Sequence, residues 1–280
     1  MDPGRTTGGG HVSTTSHAGR TAIVTGAGSG IGAALARRLR AGGAEVVTTD
    51  VAGDVDRRLD VRDLAGCRAL VAEVGVPDLV FANAGVSMGG PTHELGRAHW
   101  DHVIDVNLNG VVNTVLAVYP GMVERGSGHV VATASGAGLV APPFVTAYAA
   151  TKHAVVGLAL GLRPEAALHG VRVSVLCPGA VETPILDRLP DEQLPPTPTR
   201  PITAREYLSL LGQEPVDVDR FAHAALKAVE RNRAIIAVPA QARALWYLHR
   251  LSPSLTDRIT TAIARRVDRG LVQVERVGDA

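Results

Sequence analysis

Short apolar runs alternate along this chain with longer amphipathic stretches. Runs of four to six residues, rich in Val, Ile and Ala, occupy positions 21–25, 45–49, 79–82, 129–133, 171–176 and 234–238. Segments of this length and composition are typical of strands that are buried on both faces of a parallel sheet. Helical periodicity fills the intervals, over positions 31–41, 100–124, 148–169 and 218–231. The alternation predicts an α/β fold with a single Rossmann-like, doubly wound parallel sheet of about seven strands, flanked by helices on both faces.

Three segments depart from this alternation and divide the chain into predicted units. Residues 1–19 offer little to bury, so we expect a flexible tail in which a histidine such as His17 is solvated. Residues 20–239 form the predicted Rossmann domain. Within that domain, the proline-rich stretch 184–216 is expected to be an irregular insertion, either a mobile lid over a substrate or a disordered surface loop. Residues 240–280 follow the last strand and are predicted to form a helical C-terminal extension.

Composition and charge exclude several classes of protein. Lys and Arg number 28 against 27 Asp and Glu, and a net charge of +1 creates no overall field that attracts nucleic acid. Two cysteines, Cys67 and Cys177, cannot build a disulfide framework and favour a reducing compartment. No apolar run approaches the ~20 residues of a membrane span, and the first residues lack the apolar stretch of a signal peptide. We therefore expect a cytoplasmic protein without a metal site or a nucleic-acid partner.

A glycine-rich turn links the first predicted strand to the first predicted helix. With the threonine before it, the turn has the pattern T-G-x-x-x-G-I-G over residues 25–32. Glycines allow the backbone to turn sharply and to approach a pyrophosphate, whose charge then lies at the helix N-terminus. Because the turn stands between a strand and a helix, it predicts a dinucleotide site rather than only a tight structural turn. The candidate contacts in the turn are Gly26, Ser29, Gly30, Ile31 and Gly32.

The second predicted strand leads into Asp50. A carboxylate at this place accepts hydrogen bonds from the ribose hydroxyls of adenosine and repels a 2′-phosphate. Neither Ser29 nor Val51 is a basic residue that would neutralise such a phosphate. NAD is therefore the predicted cofactor and NADP is less favoured, while the alternative is an aspartate that only caps the end of the strand.

A tyrosine and a lysine open the long predicted helix 148–169. Tyr148 and Lys152 are four residues apart, so they share one face of that helix. A free tyrosine, with a pKa of ~10, is a poor base near neutrality, and a neighbouring ammonium lowers that pKa. Ser135 follows the strand 129–133, at the edge where parallel sheets bind ligands, and could hold a substrate oxygen beside Tyr148. Alone, the pair would be an ordinary helical pair; together with the glycine turn it indicates an acid–base site.

These motifs resemble those of the short-chain dehydrogenase/reductase family, in its classical branch, over most of residues 20–239. The resemblance implies a catalytic tetrad of Asn107, Ser135, Tyr148 and Lys152. It implies further cofactor contacts, which are Asp60 and Val61 at the adenine, Asn83, Ala84 and Gly85 after the third strand, and Pro178, Gly179, Val181 and Thr183 at the nicotinamide end. Ala82 stands where the family has the first asparagine of its N-N-A-G element.

The resemblance also implies a reaction, a hydride transfer between a carbinol carbon and nicotinamide, in which the cofactor supplies the difficult chemistry. Tyr148 would be the general base in oxidation and the general acid in reduction. Lys152 would lower the pKa of Tyr148 and bind the nicotinamide ribose. Ser135 would orient and polarise the substrate oxygen, and Asn107 would hold a water that links Lys152 to solvent.

Two features depart from the family's pattern. Only nine residues separate Asp50 from Asp60, so the helix that usually joins these strands is predicted to be missing or reduced to a turn. Pro164 lies inside the helix 148–169, and an interior proline costs ~3 kcal/mol and kinks a helix. The family implies a homodimer or homotetramer in which this helix packs against its counterpart, so Pro164 puts the geometry of that interface in question.

The residues expected around the substrate are mostly apolar. Arg200 and Arg205 are exceptions within 184–216 and are expected to be solvated, so we predict a hydrophobic secondary alcohol or ketone that is steroid-like, terpenoid or acyl-like. One alternative is an NADP-linked 3-ketoacyl reductase of lipid metabolism, which Asp50 disfavours. Another is a non-catalytic NAD-binding sensor, which the presence of both the tyrosine and the lysine disfavours.

The C-terminal extension has an amphipathic pattern. From Pro253 onward, apolar residues recur every fourth position from Leu255 to Val267, and arginines outnumber acids over residues 240–280. We expect helices that pack on the catalytic domain or on a second subunit and cover the mouth of the pocket. Peripheral attachment to a membrane surface is the less favoured alternative.

Overall fold

The computed structural model describes residues 17–191, 193–199 and 201–278. Its centre is a seven-stranded sheet in the order β3-β2-β1-β4-β5-β6-β7, in which neighbouring strands are parallel. The strands from β1 to β7 are Thr21–Thr25, Glu45–Asp50, Arg57–Arg58, Leu79–Ala82, Gly128–Thr133, Val171–Pro178 and Ile235–Val238. This Rossmann-like sheet with flanking helices confirms the predicted fold class.

Helices occupy the connections between the strands. From α1 to α9 they are Gly30–Ala41, Leu64–Val74, Arg97–Ile104, Gly110–Arg125, Thr146–Ala167, Ala204–Leu211, Val218–Glu230, Ala240–Leu251 and Pro253–Gly278. A π-helical stretch, Asp105–Asn109, joins α3 to α4. Helix α2 was not predicted from the sequence. Its signal is Asp63, whose side chain caps the helix by accepting the Ala65 N–H at 2.9 Å.

Two apolar clusters cover the two faces of the sheet. Along β4, Leu79 and Phe81 belong to the cluster that α1 and α7 complete, whereas Val80 and Ala82 belong to the cluster on the side of α4 and α5. All four side chains are at most 2% exposed. Burial on both faces is the reason why the strands have continuous apolar runs rather than alternating ones.

The helical stretch Arg97–Arg125 is long and apolar enough, by length and composition alone, to cross a membrane. Its residues Val111, Val115 and Val118 lie in the core cluster on one face of the sheet. The apolar composition is therefore also that of a core helix.

The connection between β2 and β3 is short, as the spacing predicts. Residues 51–56 form bends and a turn of chain rather than a helix. Asp56 stabilises this connection, because its carboxylate accepts the Thr48 N–H at 2.8 Å and the Thr48 hydroxyl at 2.6 Å. Arg40 pairs with the same carboxylate at 2.6 Å.

The prediction for the N-terminal tail is wrong at its C-terminal end, while residues 1–16 lie outside the described residues. His17 is 1% exposed rather than solvated. Its backbone N–H donates to the Gly42 carbonyl at 2.8 Å, and its Nε2 lies 3.5 Å from the Glu230 carboxylate. Burial lowers the pKa of His17. The turn after α1 provides the carbonyl that holds this residue, a partner that the local sequence does not reveal.

The segment 184–216 is more regular than predicted, because it contains α6. Thr203 accepts the Glu206 N–H at 3.1 Å, and the Glu206 carboxylate accepts the Thr203 N–H at 2.7 Å. This capping box is a sequence signal, Thr-x-x-Glu, that the analysis overlooked. The expectation of a wholly irregular insertion is therefore wrong. We call the described residues of 184–216 the lid segment.

The C-terminal helices lie against the rest of the chain. On α9, Val267 is fully buried and packs with Tyr207 and Leu210 of α6. A Cβ on Gly270 would lie 2.8 Å from the Leu210 side chain, so this glycine permits the close approach of the two helices. Leu255, in contrast, is 43% exposed. Of the predicted apolar stripe of α9, Leu255 at the first position is therefore exposed and Val267 at the last position is buried.

Candidate active site

The glycine turn after β1 lies beside the end of β4, at the carboxyl edge of the sheet. Gly26 has a φ of +65°, and a Cβ there would lie 2.6 Å from the Cα of Ala84. A Cβ on Gly28 would overlap the Ala52 carbonyl oxygen, and one on Gly32 would overlap that of Gly26. The turn therefore has room for backbone only. This is the requirement for a loop that approaches a pyrophosphate at the N-terminus of α1.

Asn83 and Thr25 join this turn to β4. The Asn83 Nδ2 donates to the carbonyl oxygens of Thr25 at 3.0 Å and of Gly26 at 3.3 Å. In return, the Thr25 hydroxyl accepts the backbone N–H groups of Asn83 at 2.9 Å and Ala84 at 3.1 Å. Sequence reasoning named Asn83 and Ala84 as cofactor contacts; the structure places them where they also hold the turn. Thr25 was not named for this role, although it is the residue that ends β1.

Asp50 lies directly beside the glycine turn. Its Oδ2 accepts the Gly28 N–H at 3.0 Å, and its Oδ1 accepts the Ala52 N–H at 3.3 Å. The carboxylate at the end of β2 is thus held next to the loop that would bind the pyrophosphate. A carboxylate in contact with the glycine turn is what a hydrogen bond to the adenosine ribose requires.

The predicted adenine-side pair, Asp60 and Val61, follows β3. Hydrogen bonds from Arg62, at 2.6 Å for the shortest, lower the pKa of the Asp60 carboxyl. Val61 is buried, and its carbonyl accepts the Asn113 Nδ2 at 2.9 Å. A Cβ on Gly110 would lie 2.5 Å from the Val61 side chain, so α4 packs closely on this pair.

The segment after β6 closes the site on the side opposite β4. Gly179 donates its N–H to the Val238 carbonyl at 2.8 Å, and the Thr183 hydroxyl donates to the Val181 carbonyl at 3.2 Å. A Cβ on Gly30, between the half-buried Ser29 and Ile31, would lie 3.2 Å from the Thr183 Cβ. The structure therefore brings Pro178–Thr183 against the glycine turn.

Ser135, Tyr148 and Lys152 converge at the end of β5. The Lys152 Nζ donates to the Thr133 carbonyl at 3.1 Å and lies 5.6 Å from the centroid of the Tyr148 ring. Lys152 is only 3% exposed. The Ser135 hydroxyl is close enough to the Tyr148 phenol to affect its pKa, and the Ser135 Oγ accepts the Ala137 N–H at 3.1 Å. The strand end and the first turn of α5 thus assemble a hydroxyl, a phenol and an amine in one place.

Asn107 lies behind this group, fully buried in the π-helical stretch. Its Oδ1 accepts the Val86 N–H at 2.8 Å, and its Nδ2 donates to the Val86 carbonyl at 3.0 Å and to the Thr151 hydroxyl at 3.3 Å. A Cβ on Gly85 would lie 3.0 Å from the Asn107 Oδ1 and 3.3 Å from the Lys152 Nζ. All four residues of the implied tetrad therefore adjoin. Local π-helical turns of this kind are frequent at functional sites.

Burial changes the acid–base strength of these groups. Desolvation lowers the pKa of Lys152 to about 8. It raises the pKa of Tyr148, and the hydrogen bond from Ser135 opposes that rise. Burial also raises the pKa of Cys177 to about 12, so this thiol near Lys152 stays neutral. The sequence predicts a lowered pKa for Tyr148, but the chain alone raises it. Burial disfavours the charged forms of both groups, the phenolate of Tyr148 and the ammonium of Lys152.

An inner pocket of about 50 Å³ lies between the segment after β4, the start of α5 and the lid segment. Its lining includes Ser87, Val145, Arg188 and Tyr207. Val145 is three residues before Tyr148, so the lining reaches the start of the helix that carries the phenol, although the converging side chains themselves are not part of the lining. Arg200 and Arg205 are expected from the sequence to be solvated, with no other basic residue placed toward a substrate. Arg200 lies outside the described residues, and Arg205 is half-buried and pairs with Glu182 and Asp187. Arg188 corrects that expectation, because the fold brings its part of the lid segment to the pocket wall.

An outer pocket of about 410 Å³ lies under α9, with Glu94, Thr199 and Asp268 among its lining residues. Phe144 lines both pockets and separates them. Its φ of +62° is in the left-handed region, and its carbonyl accepts the Gly90 N–H at 2.7 Å. A non-glycine residue held in this region stores backbone strain, which occurs often at binding sites.

Side-chain hydrogen bonds fasten the lid segment to the segment 91–99. The Glu94 carboxylate accepts the Thr199 N–H at 2.8 Å and the Thr199 hydroxyl at 2.7 Å. The buried His99 accepts the Gly96 N–H on Nδ1 at 3.1 Å and donates from Nε2 to the Pro195 carbonyl at 2.9 Å. These contacts hold the lid segment over the outer pocket.

Comparisons with known proteins are consistent with this geometry. The family model described as short chain dehydrogenase matches residues 20–194. Oxidoreductase UcpA of Salmonella typhimurium is 35% identical over 205 residues, which are 66% of this chain and 78% of that protein. D-beta-hydroxybutyrate dehydrogenase of Rhizobium meliloti is 34% identical over 216 residues, covering 68% of this chain and 81% of that enzyme.

Solved structures give the same result. The crystal structure of a short chain dehydrogenase/reductase from Burkholderia phymatum in complex with NAD superposes with a TM-score of 0.75. The two chains are 30% identical, and the match covers 86% of this chain and 96% of that one.

Proposed function

Because this chain belongs to the short-chain dehydrogenase family, and is an oxidoreductase of that family, we propose that it transfers a hydride between NAD and an apolar secondary alcohol or ketone. The observation that carries the proposal is the convergence of Ser135, Tyr148 and Lys152 at the end of β5, beside the glycine turn. Few structural roles require a buried amine next to a phenol at the ligand-binding edge of a parallel sheet.

In this proposal, Tyr148 moves the proton of the reaction. During oxidation the phenolate oxygen takes the proton of the substrate hydroxyl, and during reduction the phenol returns it. The Ser135 hydroxyl lies near the phenol, so it is proposed to hold the substrate oxygen beside Tyr148. The nicotinamide ring supplies the hydride chemistry when it is bound.

Lys152 and Asn107 support Tyr148 from behind. The ammonium form of Lys152, whose pKa is about 8, is proposed to favour the phenolate together with the positive charge of a bound nicotinamide, because the chain alone leaves the pKa of Tyr148 raised. Thr151 joins Asn107 to the first turn of α5. Its hydroxyl donates to the Tyr148 carbonyl at 2.7 Å and accepts from the Asn107 Nδ2 at 3.3 Å. We assign Asn107 the role of fixing this arrangement and of holding a water that links Lys152 to solvent.

The residues present fit a dinucleotide. The glycine turn forms a cradle that any Cβ on Gly28 or Gly32 would fill, and Asp50 stands next to it with its carboxylate toward the Gly28 N–H. Asp50 disfavours a 2′-phosphate by charge repulsion, so NAD is the proposed cofactor and NADP the weaker one. Gly85, Pro178 and Thr183 complete the proposed binding surface toward the nicotinamide end.

The pocket supports an apolar substrate body. Val145, Ile202 and Phe144 line the inner pocket beside Tyr148. We propose that the substrate is a steroid-like, terpenoid or acyl-like alcohol or ketone. The apolar residues of the pocket lining support the apolar character of this substrate. The NADP-linked ketoacyl reductase and the non-catalytic NAD sensor remain the alternatives that the experiment below separates.

The assembly and location of the protein are proposals as well. We propose a homodimer or homotetramer, supported by apolar side chains that α4 and α5 leave exposed, Leu116 at 46% and Leu160 at 39%. Replacement of Leu160 by Asp should then dissociate the assembly in sedimentation experiments. A cytoplasmic location is proposed from the charge and cysteine content. Membrane attachment through residues 240–280 stays the less favoured alternative, because α9 packs on α6.

Cofactor preference tests the function directly. Turnover of a panel of apolar secondary alcohols should be at least about tenfold more efficient in kcat/KM with NAD than with NADP, a difference of about 1.4 kcal/mol. Asp50→Ala should narrow this ratio, whereas Asp54→Ala, an exposed acid in the same connection, should leave it unchanged. Equal efficiency with NADP would favour the ketoacyl reductase alternative. NAD binding without turnover of any alcohol would favour the sensor.

A further inference from the structure

Two polar residues line the inner pocket without a side-chain partner in the described part of the chain. The Tyr207 side chain is 9% exposed, and its hydroxyl is buried without a hydrogen-bond partner in the described part of the chain. Arg188 lines the same pocket. Within the described residues, it has neither an ion pair nor a hydrogen bond, whereas most neighbouring charges are paired.

The pairing of the neighbouring acids explains why Arg188 is available. Arg205 binds both Glu182, at 2.5 Å, and Asp187, at 2.6 Å. Asp191 accepts the Gln193 N–H at 3.0 Å instead of turning toward Arg188. One arginine of the lid segment therefore neutralises two carboxylates. Arg188, which is exposed and lines the pocket, has no carboxylate partner among the described residues.

We propose that Arg188 and Tyr207 bind a carboxylate at the far end of the substrate, so that the substrate is a hydroxy acid or oxo acid with an apolar body. This assignment rests on the proposed function, because it names the class of alcohol that the same site takes. A guanidinium and a phenol donate to two oxygens, which is the number a carboxylate offers. A phosphate dianion would require more donors and charge than this wall supplies.

The state of Tyr207 suits this role. Burial raises the pKa of Tyr207 to about 12, so the phenol is neutral and donates a hydrogen bond near neutral pH. A buried hydroxyl without a hydrogen-bond partner destabilises the folded state, and a ligand oxygen that reaches it would provide the missing partner. The Ser87 hydroxyl lies in the same lining and offers one more polar contact.

The outer pocket does not suit an anion. Glu94 and Asp268 line it, so a carboxylate placed there would meet like charges. Phe144 stands between the two pockets. The anionic end of a substrate is therefore expected in the inner pocket, on the side of Arg188.

Binding of non-reactive acids tests this inference without any turnover. Straight-chain carboxylates from butyrate to octanoate, and the primary amides of the same chains, are titrated calorimetrically into the full chain, with and without saturating NADH. The best carboxylate should bind at least about tenfold more tightly than its amide. Arg188→Gln should bring that ratio close to one. Arg68→Gln, which removes an exposed arginine of α2, should leave the ratio unchanged.

Tyr207→Phe separates a binding phenol from a packing phenol. It keeps the ring against Val267 and removes only the hydroxyl, so the fold is retained and carboxylate affinity falls if the hydroxyl donates to the ligand. Equal affinity for acid and amide, no binding of either at millimolar concentration, or a preference that survives Arg188→Gln would overturn the inference. Hydride transfer with neutral alcohols is measured separately, so the proposed function can stand when this assignment fails.

Discussion

The two sides of the candidate site are held by different kinds of contact. On the cofactor side, backbone atoms pack directly against the glycines of the turn and leave no space for a side chain. Gly26 lies against Ala84, Gly28 against the Ala52 carbonyl, and Gly32 against the carbonyl of Gly26. On the substrate side, the lid segment is fastened by side chains, such as the hydrogen bonds of Glu94 with Thr199. A position without space for a Cβ tolerates almost no substitution, whereas the loss of one side-chain hydrogen bond costs only a modest free energy of folding. The cofactor side is therefore expected to be rigid and the substrate side adaptable.

The largest effect is expected from a methyl group in the glycine turn. In Gly32→Ala, the new Cβ overlaps the Gly26 carbonyl and lies 2.7 Å from the Asn83 Nδ2, so backbone must shift where β1, α1 and β4 meet. We expect a loss of more than about 4 kcal/mol of folding free energy, measured by urea unfolding, and no detectable NAD binding. Ser29→Ala in the same turn is the control for stability alone, because the Ser29 side chain caps no helix N–H. A Gly32→Ala protein of normal stability would refute the claim of steric rigidity.

Tyr148→Phe should affect the reaction rather than the fold. Removing the phenolic oxygen deprives the substrate of its proton acceptor, so kcat should fall about a thousandfold. The ring and its packing stay, and the unfolding temperature and NAD affinity should be retained. Tyr119→Phe on α4, remote from the end of β5, serves as the matched control. Wild-type turnover by Tyr148→Phe would show that another group moves the proton.

The buried lysine predicts a rise of stability with pH. The folded protein releases the Lys152 proton near pH 8, whereas the unfolded chain keeps it up to about 10.5. Between these values Lys152 gives the unfolded state one additional bound proton, and this contribution raises the free energy of unfolding with pH. The buried thiols of Cys67 and Cys177, whose pKa values burial raises to about 11 and about 12, oppose this gain above about pH 9. The gain across the whole window is at most about 3 kcal/mol. Urea unfolding of the cofactor-free protein at several pH values measures it.

Lys152→Met identifies the source of this pH dependence. The variant lacks the titrating amine but keeps both thiols, so the unmodified protein should gain stability relative to the variant as the pH rises from 8 to 10.5. Identical pH profiles of the two proteins would mean that burial of Lys152 does not control stability in this range.

The smallest effect is expected at the fastening of the lid segment. Glu94→Gln replaces a carboxylate that accepts two hydrogen bonds from Thr199 with an amide that cannot accept both equally. A looser lid segment should raise KM for the alcohol about threefold to tenfold and leave kcat nearly unchanged. Glu124→Gln, an exposed acid at the end of α4, is the control. A fall of kcat without a change of KM would indicate that Glu94 acts on the chemistry instead.

Several features of the protein were determined by the sequence alone. The apolar runs predicted the parallel sheet because strands buried on both faces need no polar positions. The short interval between Asp50 and Asp60 predicted the missing helix, since so few residues cannot form one and still connect two strands. The glycine turn and the Tyr148–Lys152 spacing were found because such patterns lie in consecutive or helically spaced residues, whereas Asn107 was found only through the family resemblance.

Only the tertiary structure decided which distant groups meet. The burial of His17 depends on a carbonyl of the turn after α1, the outer pocket depends on α9, and the availability of Arg188 depends on Arg205 binding two acids. None of these partners lies within a helical turn or a strand register of the residue it affects. Side-chain pairing between remote segments is chosen by packing and charge in three dimensions, and the local pattern of a sequence does not contain that choice.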